Sequence, residues 1–146
     1  MRLLLDTNAL VLFLAGLVRP DRIGGKRLEK FIAEDFLRVA EWAGDLPDHI
    51  SLPNILTEAS NLLGDERQEL WPGSRQALAN YVSNVDEVYV PSQRVAAGPE
   101  YLRLGLTDAA IHDLADNEVC VVSVDHHLCN RLNLNGVDVR NPFHFR

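Results

Sequence analysis

Four acidic residues stand where the strands and helices of this chain are expected to begin or end. Asp6 follows the first apolar run, and Asp125 follows the most β-branched one. Asp108 lies at the expected start of a helix, and Glu58 lies on the helix expected after a second strand. Carboxylates grouped in this way suit Mg²⁺ or Mn²⁺, because Mg²⁺ takes oxygen ligands and keeps several waters. Such ions can bridge a phosphodiester and activate water for its hydrolysis.

Each of these acids also has a plain structural interpretation. Asp6 could be a turn residue, and Asp125 could cap the helix after its strand. Asp108 could stabilise a helix N-terminus, and Glu58 could form a surface salt bridge. Four separate coincidences explain the joint pattern less readily than one site does, because sites in open α/β sheets form outside the carboxyl ends of the strands.

The apolar pattern predicts strands that alternate with helices along the whole chain. Short apolar runs are typical of buried parallel strands, whereas apolar spacing near 3.6 residues is typical of helices. The predicted strands are 2–5, 49–52, 88–90, 119–124 and 137–140. The predicted helices are 7–18, 26–43, 53–64, 74–85, 107–117 and 126–134, with Thr7 and Thr107 as caps and a further helical stretch from Ser92 that Gly98 and Pro99 interrupt. The alternation predicts one three-layer α/β/α domain over residues 1–146, with a mostly parallel central sheet.

Length and composition limit the classes of protein to consider. The chain has 146 residues, 47% of them hydrophobic, which is enough for a substantial core. No apolar run approaches the roughly 20 residues of a membrane helix, and we predict a cytoplasmic protein without a membrane partner. Cys120 and Cys129 form no metal-binding or disulfide pattern and are expected to be free and buried. The net charge of −7 argues against binding of nucleic acid through a generally basic surface.

Five segments of the chain match, in order and in spacing, the motifs of one known family. They are 4–8 (LLDTN), Pro53 with Thr57 and Glu58, 105–111 (GLTDAAI), Ser123 to Asp125 with Leu128, and 136–142 (GVDVRNP). Each motif alone is weakly specific, but the ordered set, which covers almost the whole chain, resembles the PIN-domain family.

The resemblance implies both an activity and a set of site residues. It implies that the four acids hold Mg²⁺ or Mn²⁺, and that Asn8 and Ser123 orient them by hydrogen bonds. The implied activity is that of a metal-dependent endoribonuclease, which hydrolyses phosphodiester bonds of RNA. Within the family the chain is similar to VapC-like toxins, which implies the toxin of a type II toxin–antitoxin pair, with an antitoxin and a second copy of the chain as partners.

A cluster of basic residues follows the first predicted helix. Its members are Arg19, Arg22, Lys26, Arg27 and Lys30, and they include both lysines of the chain. Here the chain departs from the commonest family pattern, and a basic flap in which Arg22, Lys26 and Arg27 contact RNA phosphates is one interpretation. The other interpretation is a solvated loop and helix start.

The predicted helix 26–43 suggests a surface for association. It carries a wide apolar face that contains Phe31, Phe36 and Trp42. Since small PIN proteins form dimers, the resemblance together with this face predicts a homodimer.

Two other functions remain open at this stage. One is a PIN-like module that binds RNA or protein and has lost catalysis; the presence of all four acids argues against it. The other is a phosphotransfer enzyme that uses Asp6 as its nucleophile. Phosphatases of that type carry a second acid two residues further on, where this chain has Asn8.

Overall fold

The apolar run at the start of the chain forms the central strand of a five-stranded sheet. In the computed structural model, which describes residues 1–146, the strands are β1 (Arg2–Leu5), β2 (His49–Ser51), β3 (Asp86–Glu87), β4 (Val119–Val122) and β5 (Asp138–Arg140). The order across the sheet is β3-β2-β1-β4-β5, and every neighbouring pair is parallel. β4 is buried along its whole length and β1 from Leu3 onward. Helices cover both faces of a parallel sheet, which explains why these two strands are continuous apolar runs.

Eight helices connect and cover the strands. They are α1 (Thr7–Val18), α2 (Ala33–Asp45), α3 (Pro53–Leu63), α4 (Ser74–Val82), α5 (Ser92–Ala97), α6 (Tyr101–Leu104), α7 (Leu106–Leu114) and α8 (His126–Leu134). Two 3-10 turns, Pro20–Arg22 and Pro142–Phe145, complete the chain. A single hydrophobic cluster contains 33 buried residues, which are all the buried hydrophobic residues except Cys129. The predicted three-layer α/β/α fold is confirmed, and the sheet is entirely parallel. None of the helices is long and apolar enough to cross a membrane.

The prediction of a helix from residue 26 is wrong, because α2 begins only at Ala33. Residues before it form turns, and Arg27 has a φ of 70°, which a right-handed helix does not allow. The side chain of Asp35 accepts a hydrogen bond from Ile32 N at 2.9 Å and so fixes the first turn of α2. Leu28 and Phe31 lie in the turns before α2, and their side chains are buried in the core. Their apolar spacing therefore reflects burial of these turns and not a helix.

The third strand was predicted two residues too late. β3 is Asp86–Glu87, at the edge of the sheet, and both of its residues are exposed. Val88 still donates a backbone hydrogen bond to Ser51 O at 2.9 Å, after which the chain leaves the sheet. The apolar alternation comes from Val88 and Val90, which are half-buried and follow the strand. The strand itself lies at the exposed edge of the sheet and needs no apolar face.

The aromatic face predicted for dimerisation packs inside the same chain. Phe31 lies against Phe143 with ring centroids 5.5 Å apart, and Trp42 lies against Phe145 at 5.3 Å. Phe31 and Trp42 are buried, and Phe36 is partly buried in the same core. These contacts correct the reason given for the homodimer, since this face is already covered by the C-terminal turn and α1. The homodimer itself stays a prediction.

Candidate active site

Asp6 lies at the carboxyl end of the central strand. Leu5 of β1 pairs with Val122 of β4, so the residues that follow, Asp6 and Ser123, come side by side. Ser123 Oγ donates to Asp6 Oδ2 at 2.8 Å, and the backbone N–H of Thr7 donates to Oδ1 at 2.7 Å. Asp6 is only 9% exposed. Burial raises its pKa, the two hydrogen bonds oppose that shift, and the charges of nearby carboxylates add to it.

Asp125 caps the helix that follows β4. Its Oδ1 accepts hydrogen bonds from the backbone N–H groups of His127 at 2.9 Å and Leu128 at 3.1 Å. Its own backbone N–H donates to Ser123 Oγ at 3.1 Å, so one hydroxyl contacts both Asp6 and the turn that carries Asp125. Asp125 therefore does cap α8, but only its Oδ1 takes part in the cap. The other oxygen, Oδ2, has no hydrogen-bond partner within the protein and is free to bind a ligand.

Glu58 is held by two threonine hydroxyls from opposite sides of the site. Thr7 Oγ1 donates to Oε1 at 2.9 Å, and Thr107 Oγ1 donates to Oε2 at 2.7 Å. Thr7 begins α1 and Thr107 lies in the first turn of α7, so this carboxylate joins three helices. Glu58 forms no salt bridge, and the alternative of a surface ion pair is therefore wrong.

Asp108 lies in the first turn of α7, near enough to the other three acids for their charges to act on it. Its pKa is raised to about 7, chiefly by burial and in addition by the charges of Asp6, Asp125 and Glu58. No basic side chain is among the groups that shift the pKa of Asp108 or of Asp6. The four acids, hereafter the carboxylate cluster, thus share one region with no cation to offset them.

The N-termini of three helices partly offset the negative charge of the carboxylate cluster. α1, α7 and α8 all begin beside it, with Thr7, Leu106 and His126 as their first residues. The partial positive charge of a helix N-terminus favours a carboxylate in its first turn, by roughly 0.3–1 kcal/mol for each. Such dipoles lessen the repulsion among the acids, but the charges of the other three still add to the rise that burial causes in the pKa of Asp108.

The donor set suits a hard divalent cation, although the side chains are not gathered tightly. All four donors are carboxylates, which Mg²⁺ and Mn²⁺ prefer. No group of three His, Cys, Asp or Glu side chains stands in a geometry that would hold one ion on its own. Mg²⁺ usually binds through one or two carboxylates, several waters and the phosphates of a substrate, so a closed cage of protein ligands is not required.

The other predicted site residues are placed differently. Ser123 contacts Asp6, as described, but the half-buried side chain of Asn8 forms no hydrogen bond with any of the four acids. Its expected role falls instead to Thr7, one residue earlier, because the first residue of α1 faces Glu58. Arg22, Lys26 and Arg27 lie apart from the carboxylate cluster and line a separate cavity with Asn61.

Sequence reasoning missed the two threonines that hold Glu58. Both were interpreted as helix caps, but Asp6 caps α1 and Gly105 stands at the cap position of α7. A signal was present, since each threonine lies next to one of the acids in the sequence, Thr7 after Asp6 and Thr107 before Asp108. What the sequence could not supply was the direction of either hydroxyl.

The cysteines are free and buried, as predicted. Cys129 lies on α8 beneath the cluster and donates to Ser123 O at 3.5 Å. Burial raises its pKa to about 11, and the charges of Asp6, Asp125 and Asp108 act in the same direction. The group remains a thiol at neutral pH, which excludes a cysteine nucleophile at this site because the thiolate is the reactive form.

Comparison with known proteins adds no relative: no protein-family model matches this chain, and no curated protein matches it.

Proposed function

We propose that this protein is a PIN-like endoribonuclease that hydrolyses phosphodiester bonds of RNA with Mg²⁺ or Mn²⁺. The observation that carries the proposal is the carboxylate cluster, in which four acids share one edge of the sheet without a compensating cation. A group of unneutralised carboxylates costs stability, and such strain is commonly retained for function. The same proposal includes a cytoplasmic location, a homodimer and an antitoxin as a second protein partner.

The residues of the cluster divide the work between binding and positioning. Asp6, Glu58, Asp108 and Asp125 would hold the ions, which supply an activated water and stabilise the leaving oxygen. Ser123 fixes the direction of Asp6, and the two threonine hydroxyls fix both oxygens of Glu58. Because these hydrogen bonds set the carboxylates in place before the substrate arrives, little reorganisation is needed during reaction.

Phosphotransfer through Asp6 receives less support from the geometry. A nucleophilic carboxylate needs an exposed oxygen, but both oxygens of Asp6 accept hydrogen bonds and the residue is 9% exposed. A module that binds without cleaving is favoured by one observation, the lack of three closely grouped ligands. The two candidates differ in turnover, which a cleavage assay measures directly.

The test is cleavage of labelled single-stranded RNA by the purified full chain. We expect cleavage with Mg²⁺ or Mn²⁺ and none after addition of EDTA. Asp6→Asn should abolish cleavage, because it removes a charge from the centre of the cluster. The matched control is Asp113→Asn, which makes the same change on the exposed side of α7, where Asp113 pairs with Arg94.

Equal cleavage in EDTA would overturn the metal-dependent mechanism. RNA binding that strengthens with Mg²⁺ and shows no turnover would favour the binding module instead. Cleavage by Asp6→Asn at the rate of the parent and of Asp113→Asn would place the activity outside the carboxylate cluster.

A further inference from the structure

A polar cavity of about 310 Å³ lies between the connection after α1 and the segment after α3. On one side it is lined by Arg22, Lys26 and Arg27. On the other side it is lined by the end of α3, by Gly64 and Asp65, and by residues 68–70. We call it the basic cavity. It is roomy enough for a phosphate group and open to solvent through the exposed side chains of Lys26 and Arg27.

The acids that line the basic cavity are already engaged by the backbone. Asp65 Oδ1 accepts hydrogen bonds from the N–H groups of Arg67 at 2.8 Å and Gln68 at 3.0 Å. Glu69 Oε2 accepts from Gly73 N at 2.7 Å. These hydrogen bonds turn two carboxylate oxygens toward the backbone of their own segment. Neither acid forms an ion pair with the basic side chains opposite, and one oxygen of each carboxylate has no hydrogen-bond partner within the protein.

The basic side chains are less engaged. The side chains of Lys26 and Arg27 form no hydrogen bond or ion pair within the protein, and only the backbone N–H of Arg27 is bonded, to Glu29 at 2.7 Å. Arg22 is anchored twice: its Nη1 donates to Leu70 O at 2.9 Å, which ties the two walls together, and its Nε lies 3.8 Å from Asp21 Oδ2. Two free cations beside a third, anchored one form a site for an anion.

The backbone presents Arg27 in a conformation that costs energy. Its φ of 70° is the only positive value among the non-glycine residues of the chain. Hydrogen bonds on both sides fix this turn, from Gly24 N to Leu28 O at 3.1 Å and from Leu28 N to Gly25 O at 2.8 Å. Leu28 itself is fully buried. Strained residues of this kind persist where the surroundings hold them, and they concentrate at ligand-binding sites.

The basic cavity and the carboxylate cluster share one face of α3. Glu58 belongs to the cluster, while Asn61 and Leu62 line the cavity. Residues three and four apart are neighbours on a helix surface. Asn61 lies about 4.5 Å further along the helix axis than Glu58, given the rise of 1.5 Å per residue. A single extended strand of RNA can therefore follow this face of α3 from the carboxylate cluster to the basic cavity.

We propose that the basic cavity is a phosphate subsite, which holds the RNA backbone on one side of the bond to be cleaved. The subsite rests on the proposed function for its ligand, since the shared face of α3 is what favours RNA over an acidic peptide. Lys26 and Arg27 contact the phosphate, and Arg22 keeps the two walls in register. The subsite recognises the charge of the RNA backbone and not the base sequence, because contacts to phosphates carry no sequence information.

The two lysines of the chain allow a direct footprint. Lys26 lines the basic cavity, whereas Lys30 does not line it and lies 5.8 Å from the centroid of the Phe31 ring. Acetylation by an amine-reactive reagent, read by peptide mass spectrometry, should be slowed at Lys26 several-fold by single-stranded RNA. The rate at Lys30 should be unchanged. EDTA is present throughout, so that binding is measured without cleavage.

Variants of the same residues test the energetics. Lys26→Ala combined with Arg27→Gly removes both free cations, and glycine accepts the positive φ at position 27 without strain. We expect RNA affinity in EDTA to fall about 10-fold. The slope of log K against log salt should decrease by about 0.7, which is roughly the contribution of the one phosphate of a single strand that the subsite neutralises. The control Lys30→Ala should leave the slope unchanged.

The outcomes separate this inference from the proposed function. Protection of Lys26 in a protein that cleaves nothing with Mg²⁺ supports the subsite and overturns the nuclease. Metal-dependent cleavage with equal acetylation of both lysines overturns the subsite alone, as does an unchanged salt slope in the double variant. Protection of Lys26 by polyglutamate but not by RNA would overturn it in favour of an acidic protein partner.

Discussion

Two buried aspartates of this protein have opposite surroundings. Asp35, at the start of α2, is fully buried and accepts two hydrogen bonds from the guanidinium of Arg146, at 3.1 and 2.6 Å, and one from Ile32 N. Asp6 is almost as buried but has neutral donors only, and its charged neighbours are other carboxylates. The charge of Asp35 is neutralised within the fold by Arg146, whereas Asp6 has only other carboxylates as charged neighbours.

The difference separates a structural carboxylate from a candidate functional one. Burial of a charge is costly unless it is paired and hydrogen-bonded. At Asp35 the pairing is complete, so the residue ties α2 to the C-terminal turn. At the carboxylate cluster the compensation is incomplete, so a bound cation would lower the free energy of the folded state. Stability and activity should therefore respond in opposite ways to changes at the two sites.

The largest effect is expected for Asp108→Asn. Removal of one charge from the cluster should lower RNA cleavage at least about 100-fold, as loss of one electrostatic group at an active site commonly does. The metal-free variant should be as stable as the parent or more stable by about 1 kcal/mol, because repulsion is relieved.

Thermal unfolding with and without Mg²⁺ completes that experiment. The parent should gain stability from the ion, which binds the folded site, and the variant should gain much less. Asp113→Asn on the same helix is the control for the loss of one charge. An Asp108→Asn variant that is destabilised but active would show that Asp108 only stabilises the start of α7.

Asp35→Ala should give the reverse result. The substitution removes the hydrogen bond that fixes the first turn of α2 and leaves Arg146 without its partner, so the free energy of unfolding should fall by about 2 kcal/mol. Urea denaturation measures this change. Cleavage per folded molecule should be unaffected, and a loss of cleavage comparable to that of Asp108→Asn would remove the contrast between the two sites.

Thr107→Val should produce a smaller loss at the cluster. Valine keeps the shape of the side chain but cannot donate to Glu58 Oε2, so that carboxylate loses one of its two anchors. We expect kcat to fall about 10-fold, equivalent to about 1.4 kcal/mol, with KM for RNA little changed.

Thr107→Ser is the matched control, since it restores the hydroxyl. Serine should recover most of the activity if Thr107 acts by positioning Glu58. Equal activity of the valine variant and the parent would show that Thr7 alone suffices to hold this carboxylate.

The smallest effect concerns pH. The pKa of Asp108 is raised from 3.8 to about 7, so the folded protein retains a proton that the unfolded chain releases. Between those two values the free energy of unfolding of the metal-free parent should fall as the pH rises, because unfolding is favoured by loss of that proton. Below about pH 4 the group is protonated in both states and contributes nothing.

The measured quantity is the difference between the parent and Asp108→Asn at each pH. That difference should grow by about 1 kcal/mol from pH 4 to pH 7, a value reduced from the full shift because Asp108 is partly exposed to solvent. A constant difference over this range would mean that neither burial nor the neighbouring carboxylates raise the pKa of Asp108 in the folded protein.

Much of the architecture could be predicted from local sequence. Strand β1 and helix α8 have the predicted bounds, and β4 differs only at its end, because their apolar and β-branched runs are bounded by residues that end them. Asp6 and Asp125 were placed correctly at the carboxyl ends of two strands for the same reason. Their neighbourhood followed from a general property of parallel sheets, in which the carboxyl ends of the strands share one edge.

Segments 26–32 and 86–90 could not be predicted in this way. The burial of Leu28 and Phe31 imitates helical spacing, although a turn with Arg27 at a φ of 70° brings them into the core. The edge strand β3 is exposed and carries no apolar pattern. In both segments packing against distant parts of the chain outweighs the local preference.

The sequence by itself determined which residues of this protein carry charge and where the chain turns from strand to helix, since both depend on near neighbours. The tertiary structure alone decided which side chains form hydrogen bonds and ion pairs with those charged residues. Thr7 and Thr107 reach Glu58 across 51 and 49 residues of sequence, and Arg146 reaches Asp35 across 111. Such contacts form only when the sheet and its helices have packed, because the direction of a side chain toward a distant partner is fixed by the relative position of whole elements.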